Sequence, residues 1–568
     1  MNGRLLAVFS VLVALDTIAG GVGATTGSTV PSPRLDLPSR DFTRVTIDQE
    51  IFSSSYLYGP KQAVILPLDD DPYFFFAFND DNAHVTTIVF RESQMLHQES
   101  WINQDVASHP SLRYVSPSAY WNGVTWYPQV TYNGYQPSAT VYLYDQGGIG
   151  SGTWTAPFDV TGPVYDCYLP LTETGPGNVV YMDSQARQIA EGSHIFKAFD
   201  GFDGTTLDPP GQVMIFPDTV VWGHNYENSQ LLYHPDTQRL VILAAGYQSD
   251  QFADPENPLL VAFRESSDGG LTWGEIQWAD QSLVPDMPGS IPGINGHYHL
   301  SFFDGLIDAL GRLHVMAVVA DSGYYENTSF IHGMYDLHED EAGWTATPIS
   351  DGTYGLFNPR ELLGGDSWLH SPSLAMAPDG TIIAAWNDVA AVDWADTSLY
   401  QGIWVTYSHD HGATWAPDIP VLVAAEAGLN EYHSHLVPTA TLTEAADSGF
   451  AYILTIRTRW VGADGPLDMI RAPYPRSVRA PLVSITGEGE TVTLTWDPVP
   501  GASSYRVHSS DVAWEGYTLD GSGVFIGESW SAPFEGEGRY FYVTSVGSDQ
   551  ESSPSTPVGR IDLPAELP

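Results

Sequence analysis

Two corners of this sequence carry the same five residues at the same spacing. Ser266, Asp268, Gly270, Thr272 and Trp273 match S-x-D-x-G-x-T-W, and Ser408, Asp410, Gly412, Thr414 and Trp415 match it again. Each corner follows a strand-like apolar segment, so one supersecondary unit is written at least twice. The flanking sequence agrees. HNYENSQLLYHPDTQRLVILAAGY from His224 precedes the first corner with HPDT as a hairpin turn, and HSPSLAMAPDGTIIAAWND from His370 precedes the second with PDG in that place. Looser copies of the corner are YDQGGIGSGTW ending at Trp154, FDGFDGTT from Phe199, and YDLHEDEAGW ending at Trp344, while VFRES at 89–93 mirrors AFRES at 262–266. With a last unit near His433, the pattern predicts about seven four-stranded antiparallel sheets over residues 42–476, six being the alternative count.

Such units cannot bury both faces alone, and radial stacking solves that problem while leaving few strand edges exposed. The predicted fold class is therefore all-β, a β-propeller, with FTRVTIDQEIF near Phe42 expected to pair with the last sheet and seal the ring. The chain of 568 residues, with 54 Gly and 41 Pro, suits many turns and few long helices.

Charge narrows the partners. Acidic residues number 69 against 21 basic ones, for a formal net charge of -48, and Lys61 and Lys197 are the only lysines. Nucleic acid and anionic membrane surfaces need a basic footprint and are excluded as expected partners. A Lys-poor acidic surface also stays soluble at high salt, pointing to a marine or halophilic setting. Residues 1–24 have the layout of a secretory signal peptide, with Arg4 before an apolar run and small residues at Gly23 and Ala24. A linker at 25–41 follows, and no later apolar stretch is long enough to span a membrane. The expected product is secreted or cell-surface, and monomeric. The single cysteine, Cys167, excludes an intrachain disulfide and reads as a buried strand residue.

The repeated corner resembles the Asp box (the bacterial neuraminidase repeat) of the sialidase-like propeller superfamily. The resemblance implies that the acid ties down the hairpin backbone, that Gly takes a left-handed conformation, and that Trp packs between neighbouring sheets. It also implies a structural role away from the active site, so the box argues fold rather than chemistry. Residues 477–568 resemble a fibronectin type III domain through Leu494, Trp496, the Asp497-Pro498 turn, Gly501-Ala502, Tyr505, Val507, Tyr542 and Val546. Such a module implies a spacer or binding accessory.

In a propeller, ligands meet the face where blade-to-blade connections and second-to-third-strand loops converge. Residues expected at the starts of first strands are Tyr127, Tyr168, His224 with Tyr226, His297 with His299, His370, and His433 with His435. His224, His297 and His370 are equally spaced, so histidine recurs at one structural position. Expected on the arriving loops are Asn79, Asp80, Asp81, Tyr247, Asp250, Asp321, Tyr324, Tyr325, Asn387 and Asp388, with Arg457, Arg459 and Trp460 from the final unit. Catalysis is assigned to His224, Tyr226, His297, His299, Asp321, Tyr325 and Asp388. Substrate binding is assigned to His370, His433, His435, Arg457, Arg459 and Trp460. Imidazoles move protons or bind metal, Trp stacks on a pyranose face, and Arg grips a carboxylate bidentately. A divalent cation such as calcium is a candidate cofactor, and the same histidines also have a purely packing interpretation. Arg91 and Arg264, near the ends of third strands, are expected at the opposite face, tying down turns.

Three functions fit these residues. The first is a glycan-cleaving enzyme, although the Arg-Ile-Pro motif that usually announces the first sialidase arginine is absent. The second is a uronate polysaccharide lyase. GHNYENSQLLYHP and NGHYHLSFFDGLIDALGRLHV resemble blades of propeller lyases, but Tyr247 and 318–321 stand where that family has a second histidine. The third is a non-catalytic surface protein that binds glycan or protein.

Overall fold

The computed structural model describes the strands and most turns between residues 42 and 561. Residues 1–41 and 562–568 lie outside the described residues, as do the connections 52–62, 215–228, 248–258, 284–298, 321–330, 351–371, 424–429, 438–447 and 459–464 and several shorter stretches. The expected signal peptide and linker fall there. No described helix is long and apolar enough to cross a membrane.

The described chain is all-β, and its strands form four-stranded antiparallel sheets. Seven sheets come in order from residues 43–475. Their inner strands are Ala63–Leu66, Leu112–Trp121, Cys167–Thr174, Ser229–His234, His299–Ile307, Ser373–Met376 and Asn430–Val437. Each inner strand adjoins that of the next sheet, and the seventh adjoins the first. The outermost strand of the seventh sheet is Thr43–Ile51, paired antiparallel with Gly465–Pro475, so the two ends of this region close on each other as TRVTIDQEI predicts. Arg44 Nε donates to Asp468 Oδ2 at 2.8 Å and Thr46 Oγ1 to Asp468 Oδ1 at 2.7 Å across that seam.

Strand periodicity explains why the sheets stack. Side chains alternate between the two faces of a strand, and here both faces are covered. In the fourth sheet, Val241 and Leu243 pack with Phe303, Leu313 and Val315 of the fifth, whereas Leu240 and Ile242 pack with Leu171 and Phe196 of the third. LVILAA is accordingly a continuous apolar run, and a one-residue slip would exchange its two partners. The seventh sheet meets the first through Tyr452, Leu454 and Met469 against Phe74, Phe76 and Phe90.

Both complete corners form the expected turn. Asp268 Oδ1 accepts from Ser266 Oγ at 2.8 Å and from the Thr272 amide at 2.9 Å, and its Oδ2 accepts from Thr272 Oγ1 at 2.6 Å. Asp410 repeats all three contacts with Ser408 and Thr414 at the same distances. Gly270 and Gly412 have φ of +86° and +83°. Trp273 packs edge-on against Phe196 of the preceding sheet, and Trp415 lies against the core between the fifth and sixth. Arg264 donates from Nε to Gly274 O at 2.7 Å, and Arg91 pairs with Asp71 at 3.6 Å, so both hold turns.

The looser corners diverge. Asp145 accepts from Ser151 Oγ and from the amides of Gly152 and Thr153, reproducing the tethering with shifted spacing. YDLHEDEAGW is not a corner of this kind. Its Asp336 and His338 belong to the strand Ile331–Asp340, which pairs with the next strand, Gly343–Pro348.

Beyond Pro475, the strands Val483–Glu488, Thr491–Trp496, Ser529–Pro533 and Val524–Phe525 form one sheet. Thr518–Leu519, Ser504–Ser510, Gly538–Val546 and Val558–Ile561 form a second. Leu494, Trp496, Val507, Trp530, Phe541 and Val543 share their core. The late strand buries Phe541 and Val543, while Tyr542 stacks on His508.

Candidate functional site

The entry ends of the inner strands and the far ends of the second strands lie at one end of the ring, opposite the Asp-box corners. His299 begins the inner strand of the fifth sheet and pairs with Ala320, the last residue of the second strand Leu313–Ala320. His433 and His435 lie in the inner strand of the seventh sheet, and Arg457, on its second strand Ser448–Thr458, pairs with Glu431. Asp388 pairs with Gly402 inside the second strand Ile382–Asp393 of the sixth sheet. By register, these residues lie toward the entry ends of the inner strands and the far ends of the second strands. His224, Tyr226, His297, Asp321, Tyr325, His370, Arg459 and Trp460 lie outside the described residues, as do Asp80, Asp81, Asp250 and Tyr324.

Several placements differ from expectation. Tyr127 is the second residue of the second strand of its sheet, Trp126–Gly134, and not at the start of the first. WNGVTW is itself a hairpin turn, in which Asn122 Oδ1 accepts from the amides of Val124 and Thr125 at 2.8 Å each. Asn387 and Asp388 are strand residues rather than loop residues, because this second strand runs on to Asp393. Asn79 is buried and donates from Nδ2 to Leu112 O at 3.2 Å, which ties the first sheet to the second.

A feature not anticipated from the sequence is a register break near the start of four inner strands. It falls between Leu112 and Tyr114, Tyr168 and Leu171, Leu300 and Phe303, and Tyr432 and His435. A bulge gives the inner strand one residue more than its partner and re-aims the side chains around it. Arg113 and His433 fall in these breaks. At the same end, the fully buried pair Asp183 and His194 is joined at 2.7 Å through Nδ1, a contact that fixes the imidazole's orientation.

A second concentration of titratable groups lies at the opposite end, buried between the fifth sheet and the sixth sheet's Asp-box corner. His314 and His338 face each other across neighbouring strands, and Asp336, two residues before His338, shares its face. His314 Nδ1 lies 3.0 Å from Asp336 Oδ2, and His338 Nδ1 lies 3.2 Å from the same oxygen but is misdirected for a hydrogen bond. Asp308 Oδ2 sits 3.5 Å from His314 Nε2 and 2.9 Å from His411 Nδ1 of the corner. Burial opposes a charge on His314, yet Asp336 and Asp308 outweigh it and carry its pKa up to about 9. Burial likewise opposes ionisation of Asp336 and Asp308, but His314 holds both below the usual carboxylate value. The contacts of His314 with Asp336 and of Asp308 with His411 join residues 22 and 103 apart in sequence, so no local pattern reveals the whole cluster.

No protein-family model matches the sequence, and no curated protein matches it. Among solved structures, the chain is similar to the polysaccharide lyase Uly1, at 9% identity over 76% of this chain and 99% of that one, with a TM-score of 0.46. It is also similar to Penicillium chrysogenum α-L-arabinanase, at 11% identity, 63% and 92% coverage and a TM-score of 0.36. Trypanosoma rangeli sialidase is a third, at 10% identity, 90% and 88% coverage and a TM-score of 0.35. All three likenesses are distant.

Proposed function

We propose that this chain is an exported, glycan-active enzyme, in which residues 42–476 form a seven-bladed Asp-box propeller and residues 477–568 a fibronectin type III-like accessory module. Its reaction is cleavage of a glycosidic bond in an acidic extracellular polysaccharide. What supports this reading is that, by register, His299, His433, His435, Asp388 and Arg457 lie toward the same end of their sheets, the three histidines on inner strands that carry a register break. Arg457, with Arg459, neutralises a substrate carboxylate, and Trp460 stacks on a sugar ring. The histidines, Tyr325, Asp321 and Asp388 carry the proton transfers.

The residue types at the mouth favour elimination over hydrolysis. Hydrolysis by the two-carboxylate route needs a matched pair of acids. Among the described strand residues at that end, three imidazoles (His299, His433 and His435) and Arg457 stand with the carboxylates Asp388 and Glu431, and Glu431 is the register partner of Arg457. Elimination from a uronate requires neutralisation of its carboxylate and a base for the C5 proton, which arginine and histidine supply.

The test is to incubate the full-length secreted protein with sialosides, neutral glycosides and uronate polymers, following both reducing ends and the ultraviolet absorbance of an unsaturated uronate. New reducing ends with that absorbance establish the lyase, and without it the hydrolase. Arg457→Ala should then lower kcat/KM on acidic substrates by roughly 100-fold, equivalent to losing one charge-assisted contact of about 3 kcal/mol. A silent panel, with and without calcium, would overturn the enzyme reading in favour of a binding platform.

A further inference from the structure

We propose that His314, Asp336 and His338 form a buried site for a divalent transition-metal ion, zinc being the species that best suits the donors. All three ligands stand on neighbouring strands of the fifth sheet, beneath the Asp-box corner of the sixth. One ligand atom from each residue lies within 4.8 Å of the others, and all three residues are buried. The two separations from Asp336 Oδ2, 3.0 Å to His314 Nδ1 and 3.2 Å to His338 Nδ1, are close to the roughly 3.3 Å between donors around a tetrahedral ion bound at about 2.0 Å.

The unpartnered Nδ1 of His338 points to a ligand. It lies beside a carboxylate oxygen without the geometry to donate to it, leaving a buried imidazole nitrogen unsatisfied, which is costly. A cation held by the two imidazoles and the carboxylate would satisfy all three ligands, the rings, here stacked at 21° with centroids 5.2 Å apart, tilting to aim both Nδ1 lone pairs at it. Asp308 occupies the supporting position beside Nε2 of His314, where a carboxylate orients a metal-bound imidazole, and it is itself tied to Arg312 and to His411 of the corner. Two nitrogens and one carboxylate do not suit calcium, which takes six to eight oxygens. Gly412 closes the cluster, because a Cβ there would lie 2.2 Å from Asp336 Oδ2. The role assigned is therefore structural, at the end of the ring away from the mouth.

The test uses the full chain, produced in zinc-supplemented medium and freed of loose metal by gel filtration. Elemental analysis should find about one zinc per folded chain. Slow exchange against a strong chelator should lower the melting temperature by roughly 5 °C, with recovery on adding zinc. Cobalt exchange should give visible d–d absorption. His338→Gln should abolish both the zinc and the cobalt spectrum while circular dichroism stays that of a β protein. Should that variant fail to fold, Asp308→Asn leaves every ligand in place and should weaken zinc retention by roughly 10- to 100-fold. Folded wild-type protein free of zinc, cobalt, copper and manganese, with unchanged melting in chelator and in added zinc, would overturn the proposal.

Discussion

Gly412→Ala, compared with Gly380→Ala, isolates the energy with which an Asp-box corner docks onto its neighbouring sheet. Both glycines hold nearly the same left-handed backbone, φ +83° and +84°. Around Gly380 nothing lies within 4 Å of a built Cβ, so alanine there carries the backbone cost alone, about 1 kcal/mol. At Gly412 the new methyl would lie 2.2 Å from Asp336 Oδ2 and 3.1 Å from the His314 ring, neither of which can withdraw without loosening the buried imidazole–carboxylate contacts. Overpacking of this kind adds about 1–3 kcal/mol. The expected losses are therefore about 1 kcal/mol for Gly380→Ala and about 2–4 kcal/mol for Gly412→Ala, read as midpoint shifts at unchanged m in equilibrium urea unfolding followed by tryptophan fluorescence. Equal losses in the two variants would refute the reasoning, because the corner would then be held by its own hydrogen bonds and not by its seat on the fifth sheet.

Tyr452→Phe removes the hydroxyl that donates to buried Glu92 across the seam between the seventh and first sheets, leaving Arg471 at 3.2 Å as the remaining cation beside that carboxylate. The expected cost is about 1–3 kcal/mol in urea unfolding, and a loss below about 0.5 kcal/mol would show that the pair does not fasten the ring. The corner acids predict acid sensitivity. Hydrogen bonds from Thr272 hold Asp268 below 3.8. For Asp410 and Glu339 burial pushes upward, but the bonds from Thr414 and Arg239 prevail and hold both low. Folded values below unfolded ones mean stability that is complete above the ordinary carboxylate range and lost as pH falls through the folded values. Unfolding free energy should therefore be flat near neutrality and drop below about pH 4, more gently in Asp410→Asn, and a variant profile parallel to the wild type would exclude Asp410 as a contributor. With a net charge of -48, stability should rise as salt goes from roughly 0.01 M to 1 M and the screening length shrinks from about 30 Å to 3 Å. A melting temperature independent of salt would mean that surface repulsion is not a significant term.

What the sequence makes legible is what short-range chemistry controls. The corner at 266–273 is readable because one carboxylate, one hydroxyl and one glycine satisfy a turn within eight residues, and the turns HPDT and PDG are readable for the same reason. The closing strand Thr43–Ile51 shows itself by alternation alone. Misreadings occur where a local pattern serves a distant partner. YDLHEDEAGW looks like a degenerate corner, but Asp336 and His338 alternate to one face of a strand because His314 waits on the neighbouring strand, and Asp308 reaches His411 from more than a hundred residues away. Tyr127 is displaced because Asn122-Gly123 makes a hairpin within what resembles a single connection. The bulges beside Arg113 and His433 depend on strand pairing that no linear pattern contains.

The scarcity of cations then acquires a structural meaning. In a chain with 21 basic residues, Arg239 and Arg471 are placed across seams between sheets and Arg44 across the closure of the seventh. Arg239 of the fourth sheet binds Glu265 beside it and Glu339 of the fifth at 2.6 and 2.7 Å, and also donates to Gly311 O. Arg471 spans from Phe450 of the seventh sheet to Glu92 of the first, and Arg44 fastens the closing strand to Asp468. Partly buried bidentate pairs of this kind are screened less by salt than surface pairs, so they hold the ring where an acidic exterior would otherwise push neighbouring sheets apart. Arg457 and Arg113 stand by register toward the other end of their strands. On the proposed reading, a guanidinium there is where an anionic substrate group would find its counter-charge.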